Sequence, residues 1–81
     1  MREQVRQFIL ENFLYTDDGS ALRDDASFQE SGIIDSTGII ELVEFLQDQF
    51  AVTIDDDDIV PENIDSVDAI VGFLQRKGCQ A

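Results

Sequence analysis

Apolar residues recur at helical rather than alternating spacing over the N-terminal stretch. From Arg2 to Leu14, Val5, Phe8, Ile9 and Phe13 share one side of a helical wheel while Arg6 and Glu11 turn elsewhere, which predicts a first amphipathic helix. The pattern then breaks. Residues 15–35 contain "TDDGSALRDDASFQESG", rich in Asp, Ser and Gly, and predict a long loop pinned by Leu22, Phe28, Ile33 and Ile34. A structureless loop of about 20 residues is uncommon in a compact domain and is more often functional than not.

The sharpest periodicity runs from Ser36 to Phe50. Ile39, Leu42, Val43, Leu46 and Phe50 make one apolar stripe at about 100° per residue. Glu41, Glu44 and Asp48 cluster roughly opposite it, with Ile40 and Phe45 on the two flanks. Next, in "AVTIDDDDIVPENIDSV", Val52 and Ile54 alternate like a strand but are too few for a sheet. Asp55 to Asp58 resemble the acidic first turn of a short helix before Pro61. Asp65 or Ser66 then caps a last helix bearing Val67, Ile70, Val71 and Leu74, which closes with Arg76, Lys77 and Gly78 as the helix dipole favours. The prediction is all-α: three main helices and a short one.

A chain of 81 residues, 43% hydrophobic and 28% charged, fits one small soluble domain spanning 1–81. Its 5 Lys+Arg against 18 Asp+Glu give a formal net charge of -13. Such a surface repels nucleic acid and anionic lipid and attracts basic protein patches. Nothing between Asp24 and Gln75 is basic, so the middle of the chain is an acidic face. No apolar run is long enough to span a membrane, and "MREQVRQFIL" lacks the features of a signal peptide, so the expectation is a cytoplasmic protein; the chain is separately expected to be a monomer. The single cysteine, Cys79, cannot form an internal disulfide, and without histidine it cannot build a usual zinc site. It reads as a tail residue without a role.

Catalysis finds little support. A nucleophilic Ser36 needs a base, yet the chain has no histidine and its one lysine, Lys77, follows the last helix. Neither "TDDGSALRDDAS" nor "IDDDDIVPEN" has EF-hand spacing, so the acids read as solvated surface and helix caps, with no metal site expected. Ser36 has an ordinary role open to it, because Asp and Ser are favoured at helix N-caps. Its setting goes further. Asp35 and Ser36 follow Gly32, Ile33 and Ile34 and open an acid-faced helix with Ile40 one turn on, and a helix start is where free amides and the positive dipole end would hold a phosphodiester.

At these residues the chain resembles the acyl and peptidyl carrier proteins, whose signature is an Asp-Ser pair at the start of the second helix. The likeness extends through "GIIDSTGIIELVEFLQDQF" and "VTIDDDDIVPENIDSVDAI" to the Ser-Val start of the last helix. It implies a small four-helix bundle with a long loop between helices 1 and 2. It further implies that Ser36, beside Asp35, receives the 4'-phosphopantetheine arm of coenzyme A from a phosphopantetheinyl transferase that supplies Mg²⁺. The arm's thiol would then carry an acyl or aminoacyl thioester between enzymes of fatty acid, lipid or secondary-metabolite biosynthesis. By the same resemblance Glu41, Glu44 and Asp48 steer basic docking patches on an activating ligase, acyltransferase or synthase, Ile40 packs against arm or partner, and Thr37 belongs to the same contact surface. Such a chain is a carrier and not an enzyme.

Two departures point within that family. Members of fatty acid synthesis usually follow the pair with Leu and Asp, where this chain has Thr37 and Gly38, and Glu44 stands where an apolar residue is common. They favour a specialised free-standing carrier loaded by an adenylating ligase. Gly38 also weakens the first turn by up to about 1 kcal/mol relative to Ala, which predicts a mobile modified region. The competing reading is an acidic helical adaptor or inhibitor that binds a basic protein surface without a prosthetic group.

Overall fold

The computed structural model describes residues 2–78 of the chain. Cys79 lies outside the described residues. Helix α1, Arg2–Ile9, buries Val5 and Ile9 completely, and the chain continues without a break into a π-helical turn, Leu10–Leu14. The expected first helix therefore reaches its expected end. It stops at Tyr15, whose left-handed backbone (φ 54°) lets its amide donate to the Leu10 carbonyl, the usual way of closing a helix C-terminus, here without the usual glycine.

The stretch expected as a loop contains two short helical pieces. Asp18 accepts the Ser20 amide and starts a 3₁₀ turn, Gly19–Ala21. The Ser27 hydroxyl accepts the Glu30 amide and starts a one-turn helix, α2, Phe28–Ser31. The same Asp and Ser content that suggested loop here caps helical turns, because a short polar side chain satisfies first-turn amides. Gly32, at φ 74°, ends α2 with a left-handed cap. The predicted pins hold: Leu22, Phe28 and Ile34 are buried and Ile33 is half-buried.

Helix α3, Ser36–Phe50, contributes Leu42, Val43 and Leu46 to the core and ends at Ala51 in left-handed backbone (φ 53°). No strand forms at Val52 and Ile54 among the described residues; the Ile54 amide instead donates to Gln47 Oε1 at 3.0 Å. The acidic run makes only a 3₁₀ turn, Asp56–Asp58, and the short helix α4 is Pro61–Ile64, which opens with the proline rather than ending before it. Proline is pre-organised for the first helical position and cannot supply the amide an interior position needs. Helix α5, Val67–Arg76, is capped by Ser66, whose hydroxyl accepts the Ala69 amide at 3.0 Å. The three long helices close on Val5, Ile9, Leu42, Leu46, Val67, Ile70 and Leu74. The all-α bundle is as expected, with α2 as an added turn.

Cations tie the loop and the chain ends to this core. Arg6 donates to the carbonyls of Leu22 (2.9 Å) and Gly19 (2.6 Å) and pairs with Asp24. Arg2 bridges Asp24 and Asp68, and the Asp68 amide donates to the Asp24 carbonyl. At the other corner Lys77 pairs with Asp58 at 2.9 Å, Arg76 donates to Asn63 Oδ1, and Asn63 donates to the Asp58 carbonyl. Asp65, a candidate cap for α5, serves α2 instead: its carboxylate accepts from the Ser27 hydroxyl and the Gln29 amide, and its carbonyl accepts the Phe28 amide at 2.7 Å.

Candidate functional site

The start of α3 divides two roles between adjacent residues. Asp35 is the N-cap: its extended backbone (φ -97°, ψ -175°) turns Oδ1 onto the Gly38 amide at 2.7 Å, and its carbonyl accepts the Ile39 amide at 3.0 Å. Ser36 is the first helical residue, exposed, and its hydroxyl makes no hydrogen bond to any described residue. The capping role open to Ser36 thus falls to Asp35, whose carboxylate reaches forward to the Gly38 amide. The helix is 15 residues long, so its aligned peptide dipoles put partial positive charge where Ser36 stands.

A shallow groove of about 380 Å³ opens beside Ser36, lined by Gln29, Gly32, Ile34, Asp35 and Ile39. Gly32 stood in the sequence setting of Ser36, whereas Gln29 comes from the supposed loop, and the apolar pattern offered no reason to join it to the site.

Thr37, Glu41, Glu44 and Asp48 are all exposed, and Ile40 is 60% exposed. The three acids border a second shallow groove with Phe8, Asn12 and Phe45. None of the three makes an ion pair or side-chain hydrogen bond among the described residues. The cations are used elsewhere: Arg2 and Arg6 on Asp24, Lys77 on Asp58, and Arg23 on Asp25 at 3.3 Å.

Gly38 is not merely a weak link in the first turn, as its low helix propensity suggested. It is buried, and a Cβ on it would meet Phe13 Cε1 at 2.7 Å. The glycine makes room for an aromatic ring from the end of the first helical segment.

The one lysine, Lys77, is held by Asp58, the carboxylate next to Ser36 caps the helix, and no group of three or more His, Cys, Asp or Glu is placed to hold a metal among the described residues. The head of α3 is thus a capped, acid-faced helix start that carries an exposed serine hydroxyl. Residues 4–74 match the model of the phosphopantetheine attachment site family, and the chain belongs to that family, which includes the acyl and peptidyl carrier proteins. Its cofactor is covalent 4'-phosphopantetheine, and it carries rather than catalyses. A phosphopantetheinyl transferase and biosynthetic enzymes are its partners by class. Membership selects the carrier over the bare adaptor. No described helix is long and apolar enough to cross a membrane.

Proposed function

We propose that Ser36 is the attachment residue and that the chain acts as one carrier domain for an acyl or aminoacyl thioester. The observation that carries this reading is a comparison of its five serines. Ser20 donates to Asp18 at 2.7 Å, Ser27 donates to Asp65, Ser31 donates to the Ser27 carbonyl at 2.7 Å, and Ser66 caps α5. Among the described residues Ser36 alone has an unengaged serine hydroxyl, and it stands at the positive end of the longest helix.

The residues present suit the group. In the loading step Ser36 Oγ bonds to the phosphorus next to pantetheine, the diphosphate P–O bond of coenzyme A breaks, and adenosine 3',5'-bisphosphate leaves. The hydroxyl proton passes to a base of the transferase, since the neighbouring Asp35 carboxylate is engaged in capping the helix. Asp35 holds the first turn, the helix dipole favours the phosphodiester charge, and the groove with Gln29, Ile34 and Ile39 lies beside the point of attachment. Once attached, the arm supplies a thiol that holds cargo as a thioester and brings it to successive active sites at high effective concentration.

Glu41, Glu44 and Asp48, with no counterions among the described residues, are the docking surface for basic partners, with Thr37 and the exposed Ile40 at its edge. The Thr37-Gly38 sequence after the attachment pair supports a specialised carrier loaded by an adenylating ligase. The test is intact-protein mass spectrometry after incubation with coenzyme A, Mg²⁺ and a broad-specificity phosphopantetheinyl transferase. The wild type is expected to gain one phosphopantetheine and Ser36→Ala none; a gain on Ser36→Ala would move the site to another hydroxyl.

A further inference from the structure

Glycine is, after proline, the residue a helix interior tolerates least, so propensity alone says that alanine at position 38 would strengthen the turn behind Ser36. Space says the opposite. A Cβ on Gly38 would lie 2.7 Å from Phe13 Cε1, 3.0 Å from Ile34 Cγ2 and 3.3 Å from Asp35 Oδ1, the atom that accepts the Gly38 amide. Three groups therefore converge on one missing side chain.

The ring that fills the gap is not a loose end. Phe13 sits in the π-helical turn Leu10–Leu14, where one extra residue per turn rotates the next side chains by roughly 100° relative to a plain α-helix. It meets Phe8 edge-on, with centroids 5.8 Å apart at 72°. Phe8 in turn stacks on Phe45 at 4.0 Å and 14°. Phe45 belongs to α3, so the aromatic column leaves that helix at its third turn and returns to it at its first, on Gly38. Displacing Phe13 from Gly38 disturbs a closed set of contacts.

We infer that Phe13 and Gly38 are positioning residues: the ring seated on the glycine fixes the pitch of the first turn of α3 and so the direction in which Ser36 presents its hydroxyl to the transferase. This rests on the reading of Ser36 as the attachment residue. Neither residue belongs to the exposed acid face, so docking is left intact and the effect falls on the chemical step. Misplacing a reacting atom by about 1 Å can cost up to about 100-fold in rate.

The test measures kcat and KM for phosphopantetheine transfer to wild type, Gly38→Ala, Phe13→Leu and the double variant, with urea midpoints for each. Gly38→Ala is expected to lower the midpoint despite the better helix propensity of alanine. It should lower kcat about tenfold while KM stays within about twofold. The double variant, with a smaller side chain facing the new methyl, should recover most of both losses. Should Gly38→Ala fail to fold, Phe13→Leu alone carries the test, as it leaves the turn without its ring and should lower kcat with KM kept. A Gly38→Ala protein that is more stable and is modified as fast as wild type overturns the inference, as does a double variant no better than the single. A wild type that gains no phosphopantetheine overturns the Ser36 reading, and this inference with it.

Discussion

Between α1 and α5, Arg2 and Arg6 hold Asp24 and Asp68 in a clasp that also ties down the carbonyls of Gly19 and Leu22. Along α3, Glu41, Glu44 and Asp48 stand in solvent with no described cation beside them. The two regions use the same kinds of side chain for opposite ends. In the first, charge adds to the burial of Leu22, Phe28 and Ile34 in holding a long connection against the bundle. In the second, like charges spaced three and four residues apart repel one another, a small cost to the helix that leaves a field for a basic partner. A chain with only five cations spends them on its fold and leaves the acids of α3 unneutralised among the described residues.

The contrast can be broken at several points. Arg6→Ala should have the largest effect, about 2 kcal/mol lost in urea unfolding, because it takes a half-buried guanidinium from the Leu22 and Gly19 carbonyls and leaves Asp24 to Arg2 alone. Next comes the head of α3. Asp35→Ala should lose about 1 kcal/mol with the cap, whereas Ser36→Ala, one residue on, should unfold at the wild-type midpoint. Equal losses for the two would undo the division of roles between them.

A smaller effect should appear with acid. The Lys77 ammonium, and then the Asp55 amide, hold the Asp58 carboxyl below the usual carboxylate range. A folded value below the unfolded one means that the stabilisation is complete above the ordinary carboxylate range and is lost as pH falls through the lowered folded value. Midpoints measured downwards from neutral pH should therefore fall more steeply for wild type than for Asp58→Asn. Smallest on stability is neutralising the α3 face: Glu41→Gln, Glu44→Gln and Asp48→Asn together should move the midpoint by no more than about 0.5 kcal/mol. The same triple variant should slow association with the transferase and flatten its dependence on salt, as screening no longer has a field to remove. A triple variant that binds as fast and is as salt-sensitive as wild type would leave α3 an ordinary solvated face.

Much of this molecule is set by period and punctuation. Apolar residues at helical spacing located α1, α3 and α5, since a stripe about 100° wide must be buried somewhere. The Asp-Ser pair opening α3 marked the start of that helix from local sequence alone. The short helices were harder to place. Asp55 to Asp58 looked like a helix start, but the backbone makes one 3₁₀ turn there and begins α4 at Pro61. Phe28 read as a pin in a loop, although it opens a helix whose cap, Ser27, is also held by Asp65 from far along the chain.

The sequence by itself determined the helices, the charge and which hydroxyl heads the acidic helix, because those depend on neighbours within a turn or two. Only the tertiary structure decided that Gln29 flanks the head of that helix and that the Phe13 ring packs where a Cβ on Gly38 would lie. The reason is distance along the chain: a glycine looks like a weak helix residue until the ring from another helix is brought against it, and no local pattern encodes that approach.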